Sequence, residues 1–181
     1  MIMSLYEIRP LLESARGDVD RIYCHWTGAP YRMTEFLAYH VVIDLSGYFH
    51  VMHEDFTRTL AHTWRRNSRA IGIAMACCKD ACCWQDTPDG IDFGSEPPTP
   101  EQIESMAMFC AEAVDALGLS VEDIYTHAEM AEIDGYGIHS GDADMRWDLL
   151  YLPDYQNNEE VLPGGDLIRG KSEFYRKHRY H

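Results

Sequence analysis

The chain holds 181 residues, of which 46% are hydrophobic and 12% aromatic. That is the size of one compact domain, and it excludes a disordered tail or a collagen-like fibre. Lys plus Arg number 15 against 30 for Asp plus Glu, a formal net charge of −15, so the surface repels phosphate backbones and anionic lipid and argues against nucleic-acid binding. In chain order, residues 5–16 read as a first helix, with Ile8, Leu11, Leu12 and Ala15 on one face and Gly17 as the stop. Arg21 to His25 reads as a short strand entering a turn at Thr27-Gly28-Ala29-Pro30. Ala38–Asp44 and Tyr48–Met52 form a hairpin around Ser46-Gly47, and Ala70–Ala76 is a strand buried on both faces.

Residues 79–98 read as a loop, broken by Asp-Thr-Pro-Asp-Gly and Glu-Pro-Pro. A helix follows: Thr99 and Gln102 make a capping box, Pro100 takes the first position, and the stripe from Ile103 to Leu117 ends at Gly118. Ile124–His127 is a short strand ending in histidine, residues 129–145 a Gly- and Asp-rich loop, and Arg146 to Leu150 a return to order. Strands interleaved with helices around an antiparallel hairpin predict an α/β fold, a mixed central sheet flanked by helices. One domain over residues 1–153 is expected, with 154–181 a polar to basic surface extension. That extension carries Arg169, Lys171, Arg176, Lys177 and Arg179, a third of the basic residues; a solvated terminus or a contact with an anionic cell wall would each explain it.

No segment reads as a membrane element: the longest apolar run, Ile71 to Cys78, is far short of the ~20 residues that cross a bilayer. Glu7 and Arg9 precede any apolar stretch of signal-segment length, so the chain is expected to be cytoplasmic until released, without membrane insertion, and monomeric. Its six cysteines are expected to stay reduced. Cys77-Cys78 and Cys82-Cys83 form a dense cluster, for which free thiols or partial oxidation are favoured over a structural zinc site.

Among nine histidines, His25 and His127 stand at predicted strand ends beside turns, where side chains converge on a cleft. A catalytic zinc site needs three protein ligands and an open position, and Asp148 or Asp144 would supply the third. No short HExxH or CxxC…CxxC pattern is present, so ordinary polar histidines are the competing reading. His40 is expected in the core or behind the site, and His50 and His53 at the surface. Trp26, Trp64 and Trp147 suit a sugar groove or core packing equally.

Five segments in register resemble the zinc-dependent N-acetylmuramoyl-L-alanine amidases, which are related to peptidoglycan recognition proteins. They are Ile22 to Thr27; Tyr39-His40-Val41-Val42-Ile43-Asp44 with Gly47; Ala61-His62 followed by Asn67-Ser68 and Ile71-Gly72-Ile73; Thr99 to Gln102; and Thr126-His127. The resemblance implies that His25 and His127 ligate zinc. Arg146-Trp147-Asp148 matches the family's last motif, making Asp148 the third ligand and Arg146 a cation facing the reacting carbonyl. A long insert before Asp148 leaves His139, Asp142 and Asp144 as rivals. Ala74 stands where some members carry a glutamate base, so Tyr39 takes that place, with Glu129 a weaker substitute. His62 and Trp26 are candidate substrate contacts. The implied activity is hydrolysis of the amide between N-acetylmuramic acid and L-alanine in peptidoglycan or muropeptides, in the setting of a phage or prophage endolysin. The alternative is a non-catalytic peptidoglycan-binding module, which an incomplete metal site would mark.

Overall fold

The computed structural model describes residues 1–141 and 146–178. In chain order it runs β1 (Ile2–Met3), α1 (Leu5–Ser14), β2 (Arg21–Trp26), β3 (Val41–Ile43), β4 (Phe49–Val51), β5 (Ala70–Met75), β6 (Cys82–Cys83) and β7 (Ile91–Asp92). Then come α2 (Pro100–Leu117), β8 (Ile124–Thr126), α3 (His127–Asp134), β9 (Tyr151–Asp154), β10 (Glu160–Pro163) and α4 (Gly164–His178). Six strands form one mixed sheet in the order β1-β4-β3-β5-β2-β8. The β3–β4 hairpin and β1 are antiparallel, whereas β3, β2 and β8 join through parallel pairing around β5 and β2. The fold is the expected mixed sheet with helices against it.

The sheet's two faces are unlike. Ile22, Cys24 and Trp26 of β2 and Ile71, Ile73 and Met75 of β5 join the large core beneath α2, with Ile103, Met106, Phe109 and Cys110. On the other face β5 presents Ala70, Gly72 and Ala74, the alternate residues of a strand whose side chains point to opposite faces. These small residues leave room above the sheet, and the candidate site occupies it. Helix α2 begins and ends as its sequence predicts. Thr99 and Gln102 make the reciprocal cap, and Gly118 closes the helix in the left-handed conformation at φ 77°. The Gln102 amide also donates to the carbonyls of Ile43 (3.2 Å) and Ala76 (2.9 Å), tying the helix to two strand ends.

Three expectations need correction. The strand expected from Ala38 starts only at Val41, because Tyr39 and His40 lie in a turn. There His40 substitutes its side chain for a ladder partner: its backbone N–H donates to the Gly72 carbonyl, and its Nδ1 accepts from Gly72 N–H at 3.1 Å. The loop expected from 129 opens as α3, nucleated by a second capping box between Thr126 and Glu129. The tail expected on the surface is built into the core. Helix α4 packs on α2 and β8, burying Leu167, Ile168 and Ser172. Its basic residues are paired within the fold: Arg169 with Glu129, Lys171 with Glu104 and Arg176 with Asp115. These three answer acidic groups of α2 and α3, and Lys177 meets Glu173 of its own helix at the surface; Arg179 lies outside the described residues.

Candidate active site

Parallel register brings the two expected ligands together. Cys24 of β2 pairs with Thr126 of β8, so the next residues, His25 and His127, emerge side by side at the carboxyl ends of neighbouring strands. Crevices at such strand ends are the usual ligand sites of α/β sheets. The third residue arrives from the turn at 147–150, which is tethered to α3 where Ala128 N–H donates to the Asp148 carbonyl at 3.2 Å. His25 Nδ1 lies 3.1 Å from His127 Nδ1 and 2.9 Å from Asp148 Oδ2, and His127 Nδ1 lies 3.0 Å from Asp148 Oδ1.

All three residues are buried, and they form the single cluster of metal-ligating side chains among the described residues. A tetrahedral zinc with bonds of ~2.0–2.1 Å needs ligand atoms about 3.3 Å apart, so this donor set fits such an ion with small adjustment. Its chemistry fits as well. Burial lowers the pKa of His25, opposed by Asp148, and keeps the ring neutral as a ligand must be. Burial works against the Asp148 carboxylate, but the two histidines outweigh it and hold the group well below the usual range.

The cleft above the triad encloses about 700 Å³. Tyr39 lines it with its ring 5.1 Å from that of His25, and burial, with Asp148 nearby, pushes its phenol far up, so it stays protonated. Arg146 is exposed on the cleft wall, its backbone N–H donating to the Tyr136 carbonyl at 3.1 Å. Trp64 stands half-exposed at the rim with the Arg65 guanidinium stacked 4.0 Å over its ring. Trp26 and His62 also line the cleft but are almost wholly buried; Trp26 packs on Trp147 and Phe93.

Other candidates lie elsewhere. His139 is exposed and bonded to Asp86 at 2.7 Å, so it is no ligand here, and Asp142 and Asp144 fall outside the described residues. Glu129 is occupied by its capping role and by Arg169 and is no free base. His40 is a satisfied core histidine, with burial drawing its pKa down to about 4, and His50 and His53 bond to Asp44 and to the Leu37 carbonyl. All six cysteines are free thiols. Sequence reasoning passed over Thr63 and met Gly72 only as part of the family motif; the two surround the His62 ring beside His25, and a glycine inside an apolar strand was the available signal.

A solved structure of the endolysin N-acetylmuramoyl-L-alanine amidase LysCS from Clostridium intestinale URNW is similar, with a TM-score of 0.47 and 19% sequence identity over 62% of this chain and 70% of that one. No curated protein matches the chain at a significant level. The sequence model described as N-acetylmuramoyl-L-alanine amidase matches residues 15–145, well over half the chain, and the protein therefore belongs to the N-acetylmuramoyl-L-alanine amidase family.

Proposed function

We propose that this cleft hydrolyses the amide between N-acetylmuramic acid and L-alanine with zinc held by His25, His127 and Asp148. Amide hydrolysis in peptidoglycan follows from family membership; the metal and the residue roles are our reading. The observation that carries it is the convergence of two imidazole nitrogens and a carboxylate, each 2.9–3.1 Å from the next, at the floor of an open cleft. Zinc in such a site supplies Lewis acidity, lowering the pKa of water towards 7 and polarising a carbonyl.

The remaining chemistry belongs to side chains. Tyr39, kept protonated, donates its hydroxyl hydrogen to the carbonyl oxygen of the scissile amide as negative charge develops there. The Arg146 guanidinium adds a fixed positive charge on the same cleft, in a protein otherwise strongly acidic. Trp64 offers an exposed ring on which a sugar face can lie, whereas the buried Trp26 and His62 expose little to the substrate. An endolysin setting is the biological role we attach to this activity: co-expression with a holin is expected to lyse the host, and expression alone is not.

Digestion of purified peptidoglycan, with product analysis by mass spectrometry, tests the enzymatic reading. Stem peptides with a free L-alanine amine, lost on chelation and restored by zinc, are expected. Glycan-peptide material that co-sediments intact with the zinc-loaded protein would instead establish a binding module.

A further inference from the structure

Thr63 is buried directly behind His25. Its Oγ1 lies 3.3 Å from His25 Nε2, the ring nitrogen turned away from Asp148, and 3.0 Å from His62 Nδ1. Both neighbours of this hydroxyl are fixed. The Asn67 side-chain oxygen accepts the backbone N–H of His62 at 3.0 Å and of Thr63 at 2.7 Å, locking the turn that carries them. The His62 ring lies against Gly72 in the middle of β5, where a Cβ would approach its Cγ and Cδ2 to 2.6 Å. Glycine inside a buried strand weakens it and commonly marks a close approach; here the approach is that of the imidazole.

We propose that Thr63, backed by His62 on Gly72, is a positioning residue that fixes the His25 ring for metal ligation through Nδ1. The inference rests on the metal reading above and concerns how the ligand is held. A neutral imidazole that gives Nδ1 to a cation carries its single proton on Nε2 and needs an acceptor there. Thr63 Oγ1 is that acceptor, and its own hydrogen is then directed to His62 Nδ1.

With the Thr63 hydroxyl donating to its Nδ1, a neutral His62 ring carries its proton on Nε2. Among the described residues that atom has no hydrogen-bond partner. Without a cation the proton order reverses. His25 Nδ1–H donates to Asp148 Oδ2, and Nε2 accepts from the Thr63 hydroxyl. A hydroxyl donates and accepts, so one residue holds the ring in both states. Among the described residues His127 Nε2 is buried without a protein partner, so of the two imidazoles His25 is the one braced there from behind.

Zinc affinity by competition with a chromophoric chelator tests this, together with the visible absorption of the cobalt-substituted protein and the melting temperature of the metal-free protein. Partners that orient a metal-bound histidine are typically worth 10- to 100-fold in affinity. Thr63→Val, which keeps the shape and removes the hydroxyl, is expected to weaken zinc binding by about that factor and to change the cobalt spectrum. Thr63→Ser is expected to bind like wild type, and Gly72→Ala, which dislodges His62, to weaken binding as well. Should Thr63→Val not fold, Thr63→Ala carries the same comparison. Wild-type affinity and spectrum in the hydroxyl-free variants, or equal weakening in Thr63→Ser, would overturn the brace alone. Absence of zinc binding in the wild type overturns the metal reading and the brace with it.

Discussion

Removing the Arg169 guanidinium tests whether the C-terminal helix is part of the site's framework. Arg169 bonds Glu129 through two nitrogens, at 2.8 and 3.1 Å, and also donates to the Ile124 carbonyl at 3.1 Å. Its side chain is 19% exposed and that of Glu129 34%. Hydrogen bonds to charged groups contribute about 1.5–3 kcal/mol, and partial exposure places this pair near the lower end. Arg169→Ala is therefore expected to cost ~2 kcal/mol. At about 2–4 °C per kcal/mol for a domain of this size, the melting temperature falls by roughly 4–8 °C.

Glu129 also caps α3, its Oε2 accepting Thr126 N–H at 2.8 Å, and His127 is the first residue of that helix. Zinc affinity should weaken with stability. A double-mutant cycle with Glu129→Gln, read by calorimetry on the metal-free protein, isolates the pair, and a coupling of about 1 kcal/mol or more is expected. Lys177→Ala is the control, since its partner Glu173 is met in solvent and the loss should stay within about 0.5 kcal/mol. A melting temperature unchanged in Arg169→Ala, with an additive cycle, would refute the reasoning.

Three further outcomes are expected. Arg146→Ala should lower turnover by roughly 10²–10³, as loss of one oxyanion donor does, with zinc content retained, whereas His127→Ala loses the metal; metal analysis beside the kinetics separates them. Gly164→Ala puts a Cβ 2.2 Å from the Leu149 carbonyl oxygen, and the forced backbone shift should cost about 1–3 kcal/mol in denaturant unfolding. Asp134 is held below its usual pKa by the two-nitrogen bond from Arg66. A lowered folded-state pKa gives stability that is present above the unfolded value of about 3.9 and is lost as pH falls through the folded one. Asp134→Asn in chelated protein should thus be less stable than wild type at pH 7, with the gap narrowing as pH falls below about 4 and closing only below the lowered folded-state pKa.

Those parts of the fold that local chemistry dictates were legible in the sequence. Thr99, Pro100, Gln102 and Gly118 bound α2 because caps and the left-handed stop are short-range signals. The same signal was present in Thr126-x-x-Glu129, but the weak apolar periodicity of His127 to Asp134 hid α3. Helix α4 was masked for another reason. Its charges look like a solvated tail until the acidic partners on α2, Glu104 and Asp115, are placed opposite them. Of the site, His25 and His127 stood out through strand ends and family resemblance, Asp148 as one of two acidic candidates that the resemblance then favoured, and Tyr39 and Arg146 through resemblance alone. Thr63 could not be read, and Asn67 only as part of the family motif, since their roles depend on a turn folding over Gly72 by tertiary contact rather than by local pattern.

The placement of Asp148 shows why the chain beyond the family match matters to the site. Parallel pairing of β2 with β8 is enough to set His25 beside His127, but no strand delivers the third residue. It comes from a turn whose next residue, Leu149, adopts φ 58°, a conformation that a bulky side chain takes only when its surroundings impose it. Those surroundings lie largely after residue 145, where the family match ends. The Leu149 side chain is fully buried in the core that α4 completes with Leu167 and Ile168. Gly164 lets its own backbone press against the Leu149 carbonyl, and its N–H donates to the Leu150 carbonyl at 3.0 Å. Gly165, one residue on, leaves the space that the Glu129 carboxylate fills beside the α3 cap. One helix start therefore restrains both the turn that presents Asp148 and the cap that presents His127. Strain at Leu149 persists because α4 holds it, so loosening α4 should release Asp148 before it disturbs the sheet.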